Sequence, residues 1–338
     1  MNSQQYDALI LISFGGPEGP DDVIPFLENV LHGRNVPRSR LEEVAEHYQA
    51  FGGKSPINDQ NRALIQSLKE ELAEHKIDLP VYWGNRNWHP FLADTVQQMA
   101  ADGIKSALAI VTSIYSSYSS CRQYLENIAE ARATVENAPP IEKLRAFFNH
   151  PGFIEPSVEL TQRAIDTLDG FDRDTSPVLF TAHSIPAAMA GTCDYEIQLQ
   201  EATRLVADQL QLGNAQLVYQ SRSGPPSQPW LEPDVVDAIE SLHGQGHRDV
   251  VLVPIGFLSD HMEVIYDLDT EAKERANELG MRFARAKTVG THPRLISMIR
   301  ELIQERIDGT PRQTCGNMAA SHDLCPVDCC AYTPRRPT

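Results

Sequence analysis

The chain has 338 residues, 41% of them hydrophobic, and its 46 acidic side chains against 29 basic ones leave a net charge of −17. That length suits one large domain or two ordinary ones, and no run approaches the roughly 18 apolar residues of a membrane span. So acidic a field repels nucleic acid and anionic membrane surfaces, whereas a cation such as a metal ion is attracted. The N-terminal stretch has no basic region followed by a cleavage site, so a cytoplasmic protein is expected.

In chain order, ALILISF (8–14) reads as a short strand stopped by GGPEGP, and DDVIPFLENVL reads as a helix with acidic residues in its first turn. HGRNVPRSR then places Arg34, Arg38 and Arg40 in a proline-broken loop, either a local basic patch for an anionic ligand or a solvated loop. In FGGKSPINDQN the paired Gly52 and Gly53 bring backbone donors close to whatever binds there, and Leu64, Leu68 and Leu72 follow at helical spacing. The glycine spacing is not that of a phosphate-binding loop, and no GxGxxG follows a strand, so nucleotide binding loses its main support.

VYWGNRNWHP (81–90) is a short strand with Arg86 in the following turn, and SALAIVTSIY (106–115) is a strand running into the hydroxyl-rich SSYSSCRQY. The second half repeats this order. SPVLFTAHSIP (176–186) echoes ALILISFGGP, VYQSRSGPP echoes VYWGNRNWHP, and DVVLVPIGFLSDH echoes SALAIVTSIY. The repetition predicts a duplicated α/β unit, parallel strands with helices on both faces. Residues 1–150 form the first, 151–309 the second, with the last helix free to pack back on the first, and 310–338 form a Cys-rich tail too poor in apolar residues to fold alone. A ligand cleft is expected between the halves, where strand ends face each other.

Two strand ends carry the chemistry. His183 closes the FTAH strand. The apolar run 249–258 ends in Ser259, Asp260, His261 and Glu263, with Asp267 and Glu271 following at four-residue spacing. Such a row is either a solvated helix face or one wall of a site. Because both strands belong to one half, His183 is expected to face Glu263, a pair suited to binding a divalent metal or moving protons near pH 7.

SFGGPEGP, FGGKSPIN, TAHSIP and above all LVPIGFLSDHMEVIYDLDTE resemble the signature segments of the ferrochelatases, in order, through nearly all of residues 6–308. The resemblance implies two similar Rossmann-like domains, each with a parallel four-stranded sheet and helices on both faces, a porphyrin cleft between them, and an enzyme that inserts ferrous iron while two pyrrole protons leave. It implies His183 as proton acceptor and iron ligand, Glu263 as its partner, and Asp267 and Glu271 as a path for metal or protons. Phe14, Ser55, Arg86 and Tyr124 match positions that contact the porphyrin, and Arg34 is placed to meet propionates. Some relatives carry a metal-ligating tyrosine where this chain has Phe14, which cannot ligate iron.

The cysteines of CPVDCC, read alone, suit a zinc site, surplus thiols or an iron–sulfur cluster. Resemblance to ferrochelatases of actinobacterial type, in SYSSCRQY as well as CPVDCC, implies a [2Fe–2S] cluster on Cys121, Cys325, Cys329 and Cys330, with Cys315 and Cys193 as spectators. It also favours coproporphyrin III as substrate, as does the polar, arginine-bearing segment PFLENVLHGRNVPRSR; protoporphyrin IX is the alternative. A metal- or tetrapyrrole-binding protein without chemistry is the competing reading of another class. A sister chelatase for cobalt or nickel is a third, against which SDHMEVIYDLD argues. A monomer is expected, with no stable membrane insertion and only transient contact with neighbouring haem-pathway enzymes.

Overall fold

The computed structural model describes residues 6–32, 36–224 and 227–332. Its chain order is β1 (Ala8–Ser13), α1 (Val23–Val30), α2 (Arg38–Ala50), α3 (Ile57–Glu74), β2 (Val81–Asn85), α4 (Leu92–Ala101), β3 (Ala107–Val111), α5 (Gln123–Ala133) and β4 (Ile141–Lys143). There follow α6 (Pro151–Ile165), β5 (Val178–His183), α7 (Ala187–Ala190), α8 (Tyr195–Leu210), β6 (Ala215–Gln220), α9 (Val235–Gly244), β7 (Asp249–Val253), α10 (Met262–Val264), α11 (Lys273–Glu278), β8 (Arg282–Arg285) and α12 (Pro293–Ile307). Two π-helical turns interrupt this order, Tyr118–Arg122 ahead of α5 and Ile265–Ala272 between α10 and α11.

The duplication holds strand by strand. One sheet runs β2-β1-β3-β4 and the other β6-β5-β7-β8, all pairs parallel, so β5 stands where β1 stands and β6, β7 and β8 match β2, β3 and β4. Parallel strands need helical crossovers that cover both faces, which explains why β1, β3 and β7 are almost wholly apolar instead of alternating. Alternate residues still part company. Leu9 and Leu11 join a central core, while Ala8, Ile10 and Ile12 meet α4 and α5 on the outer face. In β5, Val178, Phe180 and Ala182 face the same central core and Leu179 packs outward with Val264 and Leu268.

That central core is shared by both halves, and α12 seals it. Leu295, Ile296, Met298, Ile299, Leu302 and Ile303 all contribute to it. From its other side Arg300 Nε reaches Glu71 of α3 at 2.8 Å, and Arg306 bonds the Tyr6 hydroxyl at 2.7 Å. A buried bidentate pair, Arg145 to Glu305 at 2.7 and 2.9 Å, binds α12 to the segment after β4.

Beyond α12 the chain has no helix or strand among the described residues. It is pinned to the body by backbone capture: Cys315 N donates to Asn149 O at 2.7 Å, and Asn149 Nδ2 donates to Met318 O at 2.8 Å.

Candidate active site

Of the side chains singled out in the sequence, Phe14, Arg86 and His183 stand at or just past the C-terminal ends of strands, where parallel sheets leave a crevice. Phe14 follows β1, Arg86 follows β2, His183 ends β5 and Ser221 follows β6. The two sets of strand ends face each other. Tyr115 after β3 donates to Ile255 O after β7 at 2.9 Å, and the Gln60 amide exchanges two hydrogen bonds with the Asp260 backbone at 2.9 and 3.0 Å. On the rim the His47 ring of α2 stacks on Tyr266, centroids 4.0 Å apart and 11° from parallel.

On the second-half wall, His183 Nε2 lies 3.8 Å from Glu263 Oε2, and His261 Nδ1 lies 4.0 Å from the same oxygen. The other nitrogen of His183 meets the Ser184 carbonyl at 2.5 Å. A carbonyl only accepts, so the proton sits on Nδ1 and the Nε2 lone pair is turned toward Glu263. The His183 backbone carbonyl accepts from the Tyr195 hydroxyl at 3.0 Å, which fixes the strand end itself. Burial lowers the His261 imidazole below its usual pKa.

Glu263, Asp267 and Glu271 begin in α10 and run through the π-helical turn 265–272. Hydrogen bonding five residues ahead widens that turn, and such turns concentrate at functional sites. The three carboxylates differ in depth: Glu263 and Glu271 are exposed and Asp267 between them is half-buried. Asp267 accepts from Gln220 Nε2 at 3.2 Å and from the Ser221 hydroxyl, while Gln220 also donates to Glu263 O at 3.1 Å. Burial pushes the Asp267 carboxyl up to about 7. The charges of Glu263 and Glu271 push the same way, against the Ser221 and Gln220 hydrogen bonds. Glu271 is raised too, again mainly by burial.

On the first-half wall the Arg86 guanidinium lies 4.6 Å over the Tyr124 ring and 5.7 Å from the Phe14 ring, with Nε donating to Asn127 Oδ1 at 2.7 Å. Phe14, Arg86 and Tyr124 are thus one stack, with Phe14 the exposed end at 36%. Ser55 is elsewhere. At 3% exposure it lies behind the Gly15–Gly16 turn, so close that a Cβ on Gly16 would stand 2.7 Å from its own.

Arg38 and Arg40 do not lie in a loop. They open α2, and each is paired, Arg38 with Glu28 and Glu42 at 2.7 and 3.1 Å and Arg40 with Glu43 at 2.7 Å. Helix α2 begins right after Pro37, which supplies a suitable start instead of a break. Arg34 lies outside the described residues.

Two participants, Tyr48 and Ser221, carry no signal in the one-dimensional pattern. The Glu263 charge acts on the Tyr48 phenol of α2, whose pKa burial raises well above its usual value. Ser221 takes a left-handed backbone, φ 61°, to hold Asp267. His261 is visible in the sequence, but only as a neighbour of Glu263.

A second cluster forms where the tail crosses the π-helical turn 118–122. Cys121 Sγ lies 3.8 Å from Cys325 Sγ and Cys329 Sγ lies 3.7 Å from Cys330 Sγ. Arg122 holds the intervening loop through Val327 O at 2.6 Å. The Cys325 hydrogen bond pulls the Cys121 thiol toward ionisation, and buried Lys143, which also hydrogen-bonds it, acts in the same direction. Cys193 is near enough for its burial-raised thiol to feel Cys121 and Cys329. Cys315 is not; the charges it feels are Glu155 and Arg294.

A family profile described as Ferrochelatase matches residues 6–307. The chain is 56% identical over 98% of its length to a ferrochelatase of Rhodopirellula baltica, covering 95% of that protein. It is 50% identical over 100% of its length to the coproporphyrin III ferrochelatase of Streptomyces coelicolor, covering 96% of it, and 50% identical to that of Nocardia farcinica over 98% of both chains. Among solved structures, SirB from Bacillus subtilis with Fe3+ superposes at a TM-score of 0.55 and 10% identity, covering 90% of this chain and 96% of that one. CbiX, described as the terminal enzyme of sirohaem biosynthesis in denitrifying bacteria, superposes at 0.52 and 14% identity over 88% of this chain and 98% of its own. These two likenesses speak for the two-sheet fold.

Proposed function

Because the chain belongs to the ferrochelatase family along residues 6–307, we propose that the porphyrin it metallates with ferrous iron is coproporphyrin III and that its product is coproheme. Half-identical relatives of that name, matched from end to end, support this substrate. So does the rim. Arg38 and Arg40 are half exposed, and solvent-exposed ion pairs of this kind are weak, so substrate propionates can replace their glutamate partners at small cost. Protoporphyrin IX, with two propionates, uses such a rim less.

The observation that carries the mechanism is the His183–Glu263 pair. Insertion exchanges one Fe2+ for two pyrrole protons, so the macrocycle core keeps its charge and the protein must accept two protons where it delivers a cation. With Nδ1–H held by Ser184 O, His183 Nε2 accepts a pyrrole proton, and Glu263 at 3.8 Å stabilises the imidazolium and the arriving iron. Asp267, its carboxyl near neutrality, relays protons toward Glu271 and solvent. Phe14, Arg86 and Tyr124 support the opposite macrocycle face, where Phe14 offers iron no ligand, and Ser55 acts by holding the Gly15–Gly16 turn.

Cys121, Cys325, Cys329 and Cys330 are proposed to hold a [2Fe–2S] cluster. The donor set fits: four thiols from two distant segments approach in two close pairs, and buried Lys143 places a positive charge beside them. Such a cluster ties an irregular tail to the body. No helix among the described residues is long and apolar enough to cross a membrane; a cytoplasmic monomer is the proposed setting.

Anaerobic turnover of ferrous iron with each porphyrin tests the substrate. Faster formation of coproheme than of protohaem is expected, and the reverse order overturns the assignment. A protein that shifts the porphyrin spectrum without forming metalloporphyrin is a binder and not an enzyme.

A further inference from the structure

The tail holds a histidine that neither iron insertion nor an all-thiolate cluster uses. His322 Nε2 stands 3.5 Å from Cys329 Sγ, and the ligand atoms of His322, Cys325 and Cys329 lie within 4.8 Å of one another. Cys121 Sγ lies 3.8 Å from Cys325 but outside the set whose ligand atoms all fall within 4.8 Å, so it becomes a fourth donor by closing on His322 and Cys329 when the cation binds.

These spacings have a specific meaning. Zinc binds thiolate at about 2.3 Å and imidazole at about 2.0–2.1 Å in tetrahedral sites. The edges of that tetrahedron are then about 3.8 Å between two sulfurs and about 3.6 Å between sulfur and nitrogen. The Cys121–Cys325 and Cys329–His322 separations match two opposite edges.

We propose that His322, Cys325, Cys329 and Cys121 form a tetrahedral site for a zinc-class divalent cation in the chain that carries no iron–sulfur cluster. The two ligand sets share three cysteines and differ in one member. The cation site takes exposed His322, while the cluster takes buried Cys330, so one tail carries two mutually exclusive metal states. The cation keeps the tail on the body when iron and sulfide are absent. Binding releases the thiol protons and no redox step is involved.

The test uses the full chain, freed of metal by chelator under anaerobic conditions and titrated with Co2+ and then Zn2+. Intense tetrahedral cobalt bands with thiolate-to-cobalt charge transfer are expected, displaced by one equivalent of zinc. The charge-transfer band separates this site from the thiol-free His183 region. His322→Ala is expected to weaken cobalt binding by at least about tenfold, and Cys330→Ser to leave it unchanged. Because His322 is exposed, its replacement does not threaten the fold. Octahedral cobalt alone, unchanged affinity in His322→Ala, or loss of binding in Cys330→Ser overturns the proposal. The same variants treated with iron and sulfide keep the cluster reading separate: it requires loss of the visible bands in Cys330→Ser and their survival in His322→Ala. Wild-type protein that takes up cobalt as described but forms no cluster ends the cluster reading and supports the cation site.

Discussion

A single imidazole shows how much a few tenths of a nanometre decide. His183 has one nitrogen committed to a carbonyl and the other pointed at a carboxylate, which makes it a ready acceptor with a defined tautomer. His183→Ala is expected to bind porphyrin with near-normal affinity, followed by fluorescence quenching, while insertion falls by at least about 100-fold, the usual weight of a lost general base. Near-normal turnover in that variant removes His183 from the mechanism. Among the thiols, the distances favour Cys121 over Cys315 as partner of the CPVDCC cysteines. Cys121→Ser is expected to bleach the visible absorption of the cluster-loaded protein and Cys315→Ser to retain it; the opposite pattern reverses the ligand assignment.

At the scale of elements, α6 shows how a helix start becomes pH-sensitive. His150 caps it, Nδ1 accepting from Gly152 N at 3.0 Å ahead of Pro151 at the first helical position. Burial, reinforced by the positive charges of Arg145 and Arg294, lowers the His150 pKa to about 3. Glu301, 3.6 Å from Nε2, does not reverse this, so the pair is a neutral imidazole beside a carboxylate. The unfolded chain takes up its proton near the ordinary histidine pKa of about 6.5. Folding stability from this residue is therefore fully present above that value and is lost as pH falls from about 6.5 toward 3, at up to about 1.4 kcal/mol per pH unit. His150→Asn keeps a capping acceptor without the titration. Its chemical-denaturation midpoint is expected to fall less steeply between pH 6.5 and 4.5 than that of the wild type; parallel slopes count against the assignment. The carboxylate-bearing element needed tertiary structure for another reason. Four-residue spacing predicts one α-helical face, whereas in the π-helical turn Asp267 sits half-buried between exposed Glu263 and Glu271.

Across the whole molecule, one core serves both halves and α12 closes it, with Arg145 and Glu305 as the buried ion pair that locks the closure. Removing one partner strands a buried charge, so Glu305→Ala is expected to lower stability by about 3–5 kcal/mol in equilibrium denaturation. Replacing both, as Arg145→Met with Glu305→Leu, is expected to cost much less. A single variant no worse than the double one shows that the pair contributes little. The contacts between the two halves, Gln60 with Asp260 and His47 with Tyr266, join residues about 200 positions apart.

The repeated strand patterns, the apolar runs ending in His183 and at Ser259, and the segments around them were enough to specify two parallel sheets, a cleft and the ferrochelatase family. They were enough because strand periodicity and strand-end chemistry are local properties of the chain. Tertiary structure alone decided which groups meet. It moved Arg38 and Arg40 into helix α2, put Ser55 behind a turn, stacked Arg86 between Phe14 and Tyr124, and brought Tyr48 and Ser221 to the carboxylates. It also set His322 against Cys329 and Cys121 against Cys325. Such meetings depend on packing between segments distant in the chain, which no local period encodes.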